Sequence, residues 1–241
     1  TVALCEQVED PRLPKGLVRR EVVRLYTPGT LVDTEFLPAG ESSFLTAVFR
    51  SPSQSGVKSP PSVGLANLDV STGEFWVTEF QGDHRTVESQ LVDELVRIDP
   101  KELLYLESDE SVAALLVRLN EARLCAQPLA VFSEQEASAL LKAHFGVHSL
   151  DGFGCTGLTV GLAAAGAVWR YFRETQPTAS LGHIRRLQRR WHQESMHLDG
   201  ATIRNLELVR PLTGSDGRTG LRQATVLSTL DRTSTSMGSR L

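Results

Sequence analysis

Long hydrophobic runs are missing from this sequence. The most apolar stretch covers residues 158–172, contains Arg170 and falls short of the roughly 20 apolar residues that a membrane-spanning helix requires. No charged leader followed by an apolar segment opens the chain, so a secretory signal is not indicated. We therefore expect a cytoplasmic protein that has no membrane partner.

Cysteine is scarce as well. The chain has 3 cysteines, Cys5, Cys125 and Cys155, which are far apart and form no CxxC pair. An odd number at wide spacing excludes a disulfide framework and does not fit a zinc site. We predict free, buried thiols in a reducing compartment.

Positive charge is not in excess, because 25 Lys and Arg face 29 Asp and Glu for a formal net charge of -4. Nucleic-acid-binding proteins more often have a net positive charge or a basic face. The one basic cluster, residues 183–192 (HIRRLQRRWH), could touch phosphates. We interpret it as a solvated face beside a strand or turn, and a stand-alone nucleic-acid-binding module remains an alternative.

Motifs of the common active sites are absent too. The sequence has no GxxxxGK[ST] phosphate loop, no GxSxG and no HExxH. His144 and His148 are four residues apart, but Gly146 between them should break a shared helix, and we predict structural or solvent roles for all the histidines. We expect no catalytic residue, no bound cofactor and no metal in this chain.

What the sequence does contain is alternation of apolar and polar residues with period two. Residues 21–26 predict a strand, and Pro28 with Gly29 predicts a type II turn after it. A three-stranded antiparallel meander is predicted from the segments 44–49, 63–70 and 74–80.

Two connections in this region have distinct compositions. Residues 71–73 end in Gly73, which favours a hairpin with a left-handed residue, and Asp69 is placed to order its amides. Residues 51–62 are rich in Ser and Pro, which predicts a mobile surface loop.

The period then changes to that of helices. Val87, Leu91, Leu95 and Ile98 are spaced for one helical face, and residues 112–119 repeat the pattern. The apolar runs 103–106 and 129–132 are typical of buried parallel strands. Ser133 and Glu136 predict a capping box for a helix that ends near His144. The order of elements predicts an α/β fold over residues 21–146, an RNase H-like mixed sheet with flanking helices.

The remaining residues, 147–241, predict a mainly α region. A helical stripe runs from Leu158 to Phe172 with Thr156 as its candidate N-cap, and Asp199 should cap a helix through Leu208. Residues 225–230 begin a further helix. The chain starts on a strand that is already under way and ends without a cap, so we expect a fragment of a longer protein.

An RNase H-like sheet raises the possibility of a metal-dependent nuclease, which holds two metal ions with clustered carboxylates. The first strand of the meander carries no acid, while Asp69, Glu74, Glu102 and Glu107 lie at the ends of other strands. These acids do not form the cluster that catalysis needs, and the nuclease is kept as an alternative only.

Several segments, in order along the chain, match those of one known protein family. Near the start they are EQVED, KG, REVVR and TPGT, followed by LDVSTGEF at residues 68–75. The series continues through FG at 145, DGFG at 151 and AAG at 164 to ETQ at 174. The longest segments are DGATIRNLEL at residues 199–208 and LDRTSTSMGSRL at residues 230–241. Together they resemble the MutS family of DNA mismatch-repair proteins. The loop at 51–62 is longer than is usual in the family, and Gly200 stands where the family has Ala.

This resemblance implies three parts. Residues 1–20 would be the tail of the mismatch-binding domain and a linker, residues 21–146 the connector domain, and residues 147–241 an incomplete N-terminal part of the core or lever domain. The full-length family is a homodimeric ATPase that uses ATP and magnesium, binds mismatched duplex DNA and recruits MutL. Its ATPase and its mismatch-reading motif lie outside this chain, so we expect a mechanical and docking fragment without catalysis. The family surface implies that MutL docks at Glu134, Ser138 and Lys142.

Overall fold

The structure, a computed structural model, describes residues 1–9, 18–31, 42–51, 60–119, 121–177, 182–191, 196, 198–209, 211–212, 225–235 and 238–240. Most of the Ser/Pro-rich loop predicted at residues 51–62 lies outside these ranges. The strands are β1 (Val2–Gln7), β2 (Arg20–Tyr26), β3 (Phe44–Arg50), β4 (Ser62–Asp69), β5 (Glu74–Gln81), β6 (Glu102–Leu106), β7 (Arg123–Gln127) and β8 (Gln188–Arg189). The helices are α1 (His84–Ile98), α2 (Glu110–Leu119), α3 (Glu134–Phe145), α4 (Val160–Thr175), α5 (Gly200–Asn205) and α6 (Val226–Leu230).

A mixed sheet forms the centre of the molecule. Its 6 strands lie in the order β7-β6-β3-β4-β5-β8. The meander β3-β4-β5 is antiparallel as predicted, whereas β6 joins β3 and β7 joins β6 in parallel. The predicted α/β fold, a mixed sheet with flanking helices, is confirmed.

The hairpin between β4 and β5 has the predicted turn chemistry. Gly73 has a φ of 77°, the left-handed region that a side chain disfavours. The Asp69 carboxylate accepts from the amides of Ser71 at 2.8 Å and Thr72 at 3.3 Å. The acid therefore orders the turn.

Helices cover both faces of the sheet. On one face, α1 buries its predicted stripe of Val87, Leu91, Leu95 and Ile98 in a cluster that includes Trp76 of β5. On the other face, α3 and α4 share a core with the alternate side chains of the same strands, Leu45 and Phe75 among them. Because side chains alternate across a strand, these continuous apolar strands serve two cores.

The apolar run at residues 158–172 is the central helix of the second core. The axis of α4 lies against β3, β4 and β5, and its residues from Val160 to Trp169 are buried. Gly64 on β4 permits this approach, since a Cβ there would lie 2.2 Å from the Val160 carbonyl oxygen.

The N-terminus of α4 is capped from the sheet. The Glu79 carboxylate on β5 accepts from the amides of Thr159 at 3.0 Å and Gly161 at 2.9 Å. A carboxylate at this position also interacts favourably with the helix dipole. The predicted cap, Thr156, instead donates its hydroxyl to Asp151 at 2.7 Å.

The division of the chain at residues 20 and 146 stays a prediction. In the structure, α4 shares a core with the sheet, and β8, which pairs with β5, lies further along the chain. β2 pairs with β1 in a separate two-stranded ribbon. We use the name sheet domain for the residues from 42 to β8.

One predicted strand was misplaced. The apolar residues 129–131 form a single 3₁₀ turn, and the strand is β7, at Arg123–Gln127. β7 is a half-exposed edge strand with a polar residue at each end, so it lacks the continuous apolar run that predicts a buried strand. The apolar run that follows ends at Phe132, which is buried and stacks on Phe49 with ring centroids 4.7 Å apart. A short apolar run cannot distinguish these cases by its period.

Beyond β8 the described residues form short helices. Asp199 caps α5 as predicted, accepting from the Thr202 amide at 2.6 Å. The helix ends earlier than predicted, at Asn205, and Glu207 has a φ of 48°. The helix α6 lies where residues 225–230 predicted one.

Gly166 should be irreplaceable in α4. A Cβ there would lie 2.3 Å from the Ala137 Cβ on α3, so Gly166→Ala must push the two helices apart. Overpacking of this kind lowers the free energy of unfolding by about 1–3 kcal/mol, although alanine has the higher helix propensity. Urea denaturation measures the change. Gly152→Ala is the control, since nothing lies within 4 Å of a Cβ there, and equal stability of both variants would contradict this packing.

The cysteines should differ in reactivity. Cys5 is exposed, which corrects the expectation that all thiols are buried, whereas Cys155 is buried. Burial raises the pKa of Cys155 to about 11 and also raises that of Cys125. Because the thiolate is the reactive form, titration with an aromatic disulfide should find one fast thiol in the native chain and all 3 in urea. Three fast thiols in the native chain would contradict the burial.

Candidate docking surface and domain junction

The helix α3 carries the residues at which the family resemblance implied docking. Ser133 caps it as predicted, accepting from the Glu136 amide at 3.3 Å. The carboxylate of Glu136, predicted to reach back to the cap, forms an ion pair with Arg170 of α4 instead. At the other end, Gly146 with a φ of 65° donates its amide to the Lys142 carbonyl. Both ends are thus fixed by local signals.

The outward face of α3 differs from the predicted one. Ala137 and Leu141 are buried against α4 and the sheet. Glu134 is exposed, but Ser138 and Lys142 are half-buried because they border the buried stripe. The most exposed line of the helix consists of Gln135, Ala139 and Ala143.

A groove of about 280 Å³ runs between α3 and α4 beside this exposed line. It is lined by Leu140 from α3 and by Trp169, Arg170, Arg173 and Glu174 from α4. The surface next to the exposed line therefore carries charges of both signs around an apolar floor.

A second candidate site is the turn after β2, where the ribbon β1-β2 meets the sheet domain. Thr27 and Thr30 are buried, and their hydroxyls lie 2.7 Å apart. The Thr30 amide donates to the Thr27 carbonyl at 3.1 Å, which closes the turn. The predicted type II geometry is wrong, because it requires a positive φ at Gly29 and Gly29 is not among the glycines with positive φ.

The Glu102 carboxylate, at the first position of β6, connects this turn to the sheet domain. Its side chain is fully buried, and Oε2 accepts from the Gly29 amide at 3.1 Å. Oε1 accepts from the Tyr171 hydroxyl at 2.7 Å and the Cys125 thiol at 3.3 Å, and it pairs with Arg123 at 3.5 Å. Burial and the nearby carboxylate raise the pKa of Tyr171, so its hydroxyl remains a donor.

In the sequence analysis, Glu102 was one of four acids considered for the metal-binding cluster of a nuclease. Of the others, Asp69 orders its turn, Glu74 forms an ion pair with Arg190, and Glu107 is exposed. Across the described ranges, no group of three His, Cys, Asp or Glu side chains is placed to hold a metal ion.

The basic cluster at residues 183–192 has structural roles for half of its arginines. Arg190 stacks over Trp76 at 4.1 Å from the ring centroid. Arg189 stacks over Trp191 at 3.5 Å and donates to the carbonyls of Gly154 and Thr156. These contacts support the interpretation as a solvated face beside a strand.

Two histidines also have structural contacts. His144 donates from Nε2 to the Ile184 carbonyl at 2.8 Å, and His183 bonds the Val70 carbonyl at 2.7 Å. Burial lowers the pKa of His144, which favours its neutral form. Both side chains hold the segment before β8 against the sheet domain.

No helix within the described part of the chain is long and apolar enough to cross a membrane.

Comparison with known families identifies the class of protein. A model described as MutS domain II matches residues 43–185, and one described as MutS domain I matches residues 1–35. The first match spans the sheet domain through α4 and ends just before β8. The second match includes the ribbon and the turn at residues 27–30. The Glu102 contact to Gly29 therefore lies where the two matched domains meet.

Individual relatives agree with these matches. DNA mismatch repair protein MutS of Solibacter usitatus is 39% identical over 240 residues, which is 100% of this chain and 26% of the relative. MutS of Syntrophobacter fumaroxidans is 40% identical over 240 residues, covering 99% of this chain and 25% of the relative. The chain belongs to the MutS family of DNA mismatch repair proteins. It spans about a quarter of the length of these relatives, and the nuclease and stand-alone binding alternatives are not favoured.

The ion pair between Glu136 and Arg170 should add little stability. The Glu136 side chain is 58% exposed, and exposed pairs contribute about 0.2–1 kcal/mol. Glu136→Gln should lower the free energy of unfolding by less than about 1 kcal/mol, and added salt should reduce the difference. Urea denaturation at low and high salt measures both effects. A loss of several kcal/mol would show that the pair has a larger role in joining the helices.

Proposed function

We propose that this chain is the connector region of a mismatch-repair ATPase, transmitting conformational change between mismatch binding and ATP hydrolysis. The observation that carries the proposal is that the sheet domain contacts a segment on each side of it. Glu102 binds the turn at Gly29, and Ser71 in the β4-β5 hairpin accepts from Arg240 at 3.0 Å. A domain held from both sides can pass a displacement from one neighbour to the other.

Contacts to the following region are found on α1 as well. The Gly200 amide at the start of α5 donates to Asp93 at 3.4 Å, and a Cβ on Gly200 would lie 2.8 Å from Val96. Coupling requires such contacts to differ between two arrangements of the domains. We assign residues 198–240 to the start of the core domain and residues 42–191 to the connector.

The whole protein, on this proposal, is a cytoplasmic homodimer that binds mismatched duplex DNA, ATP and magnesium through parts outside this chain. We propose that the chain itself contributes no catalytic residue and binds no cofactor. Its share of the activity is mechanical coupling and the recruitment of MutL.

We propose further that MutL docks on α3. The helix is fixed by caps at both ends, and its inner face is buried against α4. Glu134 remains a candidate contact, with Ser138 and Lys142 at the border of the surface. The exposure of Gln135, Ala139 and Ala143 moves the centre of the proposed surface by one residue.

Ala139→Arg in the full-length protein tests the docking surface. Ala139 is exposed, so the substitution should change stability by less than about 0.5 kcal/mol. A charged side chain buried without a partner in an interface should reduce MutL capture at least about tenfold. Capture of MutL by tagged protein on mismatched DNA with ATP measures the effect.

The control is Ser89→Arg on α1, which introduces the same side chain at an exposed position on the opposite face of the sheet. It should leave capture unchanged. A double variant, Ser138→Glu with Lys142→Glu, introduces negative charge at the two other residues predicted for docking. Unchanged MutL capture in both α3 variants would remove the docking proposal.

A further inference from the structure

The turn at residues 27–30 is held by side chains that grip its backbone. Gln176, from the end of α4, donates its amide to the carbonyls of Leu25 at 3.0 Å and Thr30 at 3.2 Å. Ser43, just before β3, donates its hydroxyl to the Pro28 carbonyl at 2.9 Å. Together with the Glu102 contact to Gly29, these bonds engage the turn and the end of β2 from three elements.

The groups that grip the turn are themselves buried. Relative exposure is 0% for Glu102, 1% for Gln176 and 4% for Ser43. A bond between buried groups is not readily exchanged for one to water, and a buried group that loses its partner is destabilising. Separation of the turn from the sheet domain would therefore require several bonds to break together.

Packing at Gly29 leaves no space between the turn and the sheet domain. A Cβ on Gly29 would lie 2.7 Å from the Glu102 Cβ and 3.2 Å from the Leu45 Cα. Only glycine permits this approach. The backbone of the turn therefore packs directly on the sheet domain and is not held at a distance by long side chains.

The charge of Glu102 strengthens the same contact. A buried carboxylate is tolerated only when hydrogen bonds and opposite charge replace its hydration. Tyr171, Cys125 and Arg123 all approach Oε1, whereas the Gly29 amide donates to Oε2 at 3.1 Å. Undocking of the turn would leave one oxygen of a buried charge without its donor.

We propose that the turn at residues 27–30 is a rigid elbow, so that the ribbon β1-β2 and the sheet domain move as one body. Glu102 is the positioning residue of this elbow. A displacement of the ribbon then moves the sheet domain directly, because the turn between them does not act as a flexible link. The rigidity of this elbow does not depend on where MutL docks.

A distance measurement tests rigidity. Cys5 is exposed on β1, and Ser89→Cys adds a second exposed site on α1. Spin labels at these two positions, in a chain with Cys125→Ser and Cys155→Ala, report the distance between ribbon and sheet domain. A single narrow distance distribution is expected with Glu102 present. A broad or two-peaked distribution would overturn the proposal.

Glu102→Ala should release the elbow. The distance distribution should broaden, and hydrogen exchange at the Gly29 amide should accelerate at least about tenfold, because its acceptor is gone. Amides of β4 and β5 should keep their protection. Glu107→Ala is the matched control, since Glu107 is an exposed acid just after the other end of β6, and it should change neither readout.

Gly29→Ala reaches the same contact from the other side and keeps Glu102 in place. It should broaden the distance distribution in the same way, since the added methyl group cannot fit. If Glu102→Ala lowers protection throughout the sheet, the Gly29 variant decides the question. A narrow distribution that is unchanged in the Gly29 variant would show that the contact does not set the geometry, and the proposal would fail.

Discussion

The packing of α4 along β3, β4 and β5 is the contact on which the rest of the structure depends. It fills the core on one face of the sheet. It is possible only because Gly64 on β4 and Gly166 on α4 itself have no side chain where α4 contacts the sheet and α3. The sheet in turn completes the helix, since Glu79 provides the acceptor for its first amides. The helix thus supplies apolar side chains that cover the sheet, and the sheet supplies the carboxylate that caps the helix.

The last turn of α4 has a second role. Tyr171 donates its hydroxyl to Glu102. Gln176, directly after the helix, donates its side-chain amide to the carbonyls of Leu25 and Thr30. The helix that stabilises the sheet domain therefore also positions the groups that hold its N-terminal neighbour. A displacement of α4 would therefore move the groups that hold the elbow and, through the contact between Gly166 and Ala137, would also move α3.

Local chemistry made much of this architecture predictable. The Asp69 turn, the Ser133 cap and the stripe of Val87 on α1 depend on neighbours within a few residues, and all were confirmed. Which elements pack together was not predictable in this way, because pairing and packing join residues that are distant in the sequence. The strand at residues 20–26 looks the same whether it pairs with β1 or with β3.

The candidate sites show the same division. The helix that carries the proposed docking surface was found from its cap, but the exposure of its residues was not predictable because it depends on where α4 lies. Glu102 was noticed as an acid beside an apolar strand and was considered only for a catalytic cluster, which the sequence analysis did not support. Its actual partners, Gly29 and Tyr171, are 73 and 69 residues away, and no local pattern connects them.

The hydrogen bonds from the sheet domain reach the elbow at its backbone, at the carbonyls of Leu25, Pro28 and Thr30 and at the amide of Gly29. The side chains of the turn are constrained as well, because Thr27 and Thr30 are buried and bond to each other, and Gly29 has no space for a Cβ. The requirements of this junction are therefore concentrated in a turn of four residues. A different ribbon that kept this turn would present the same backbone groups to the same partners.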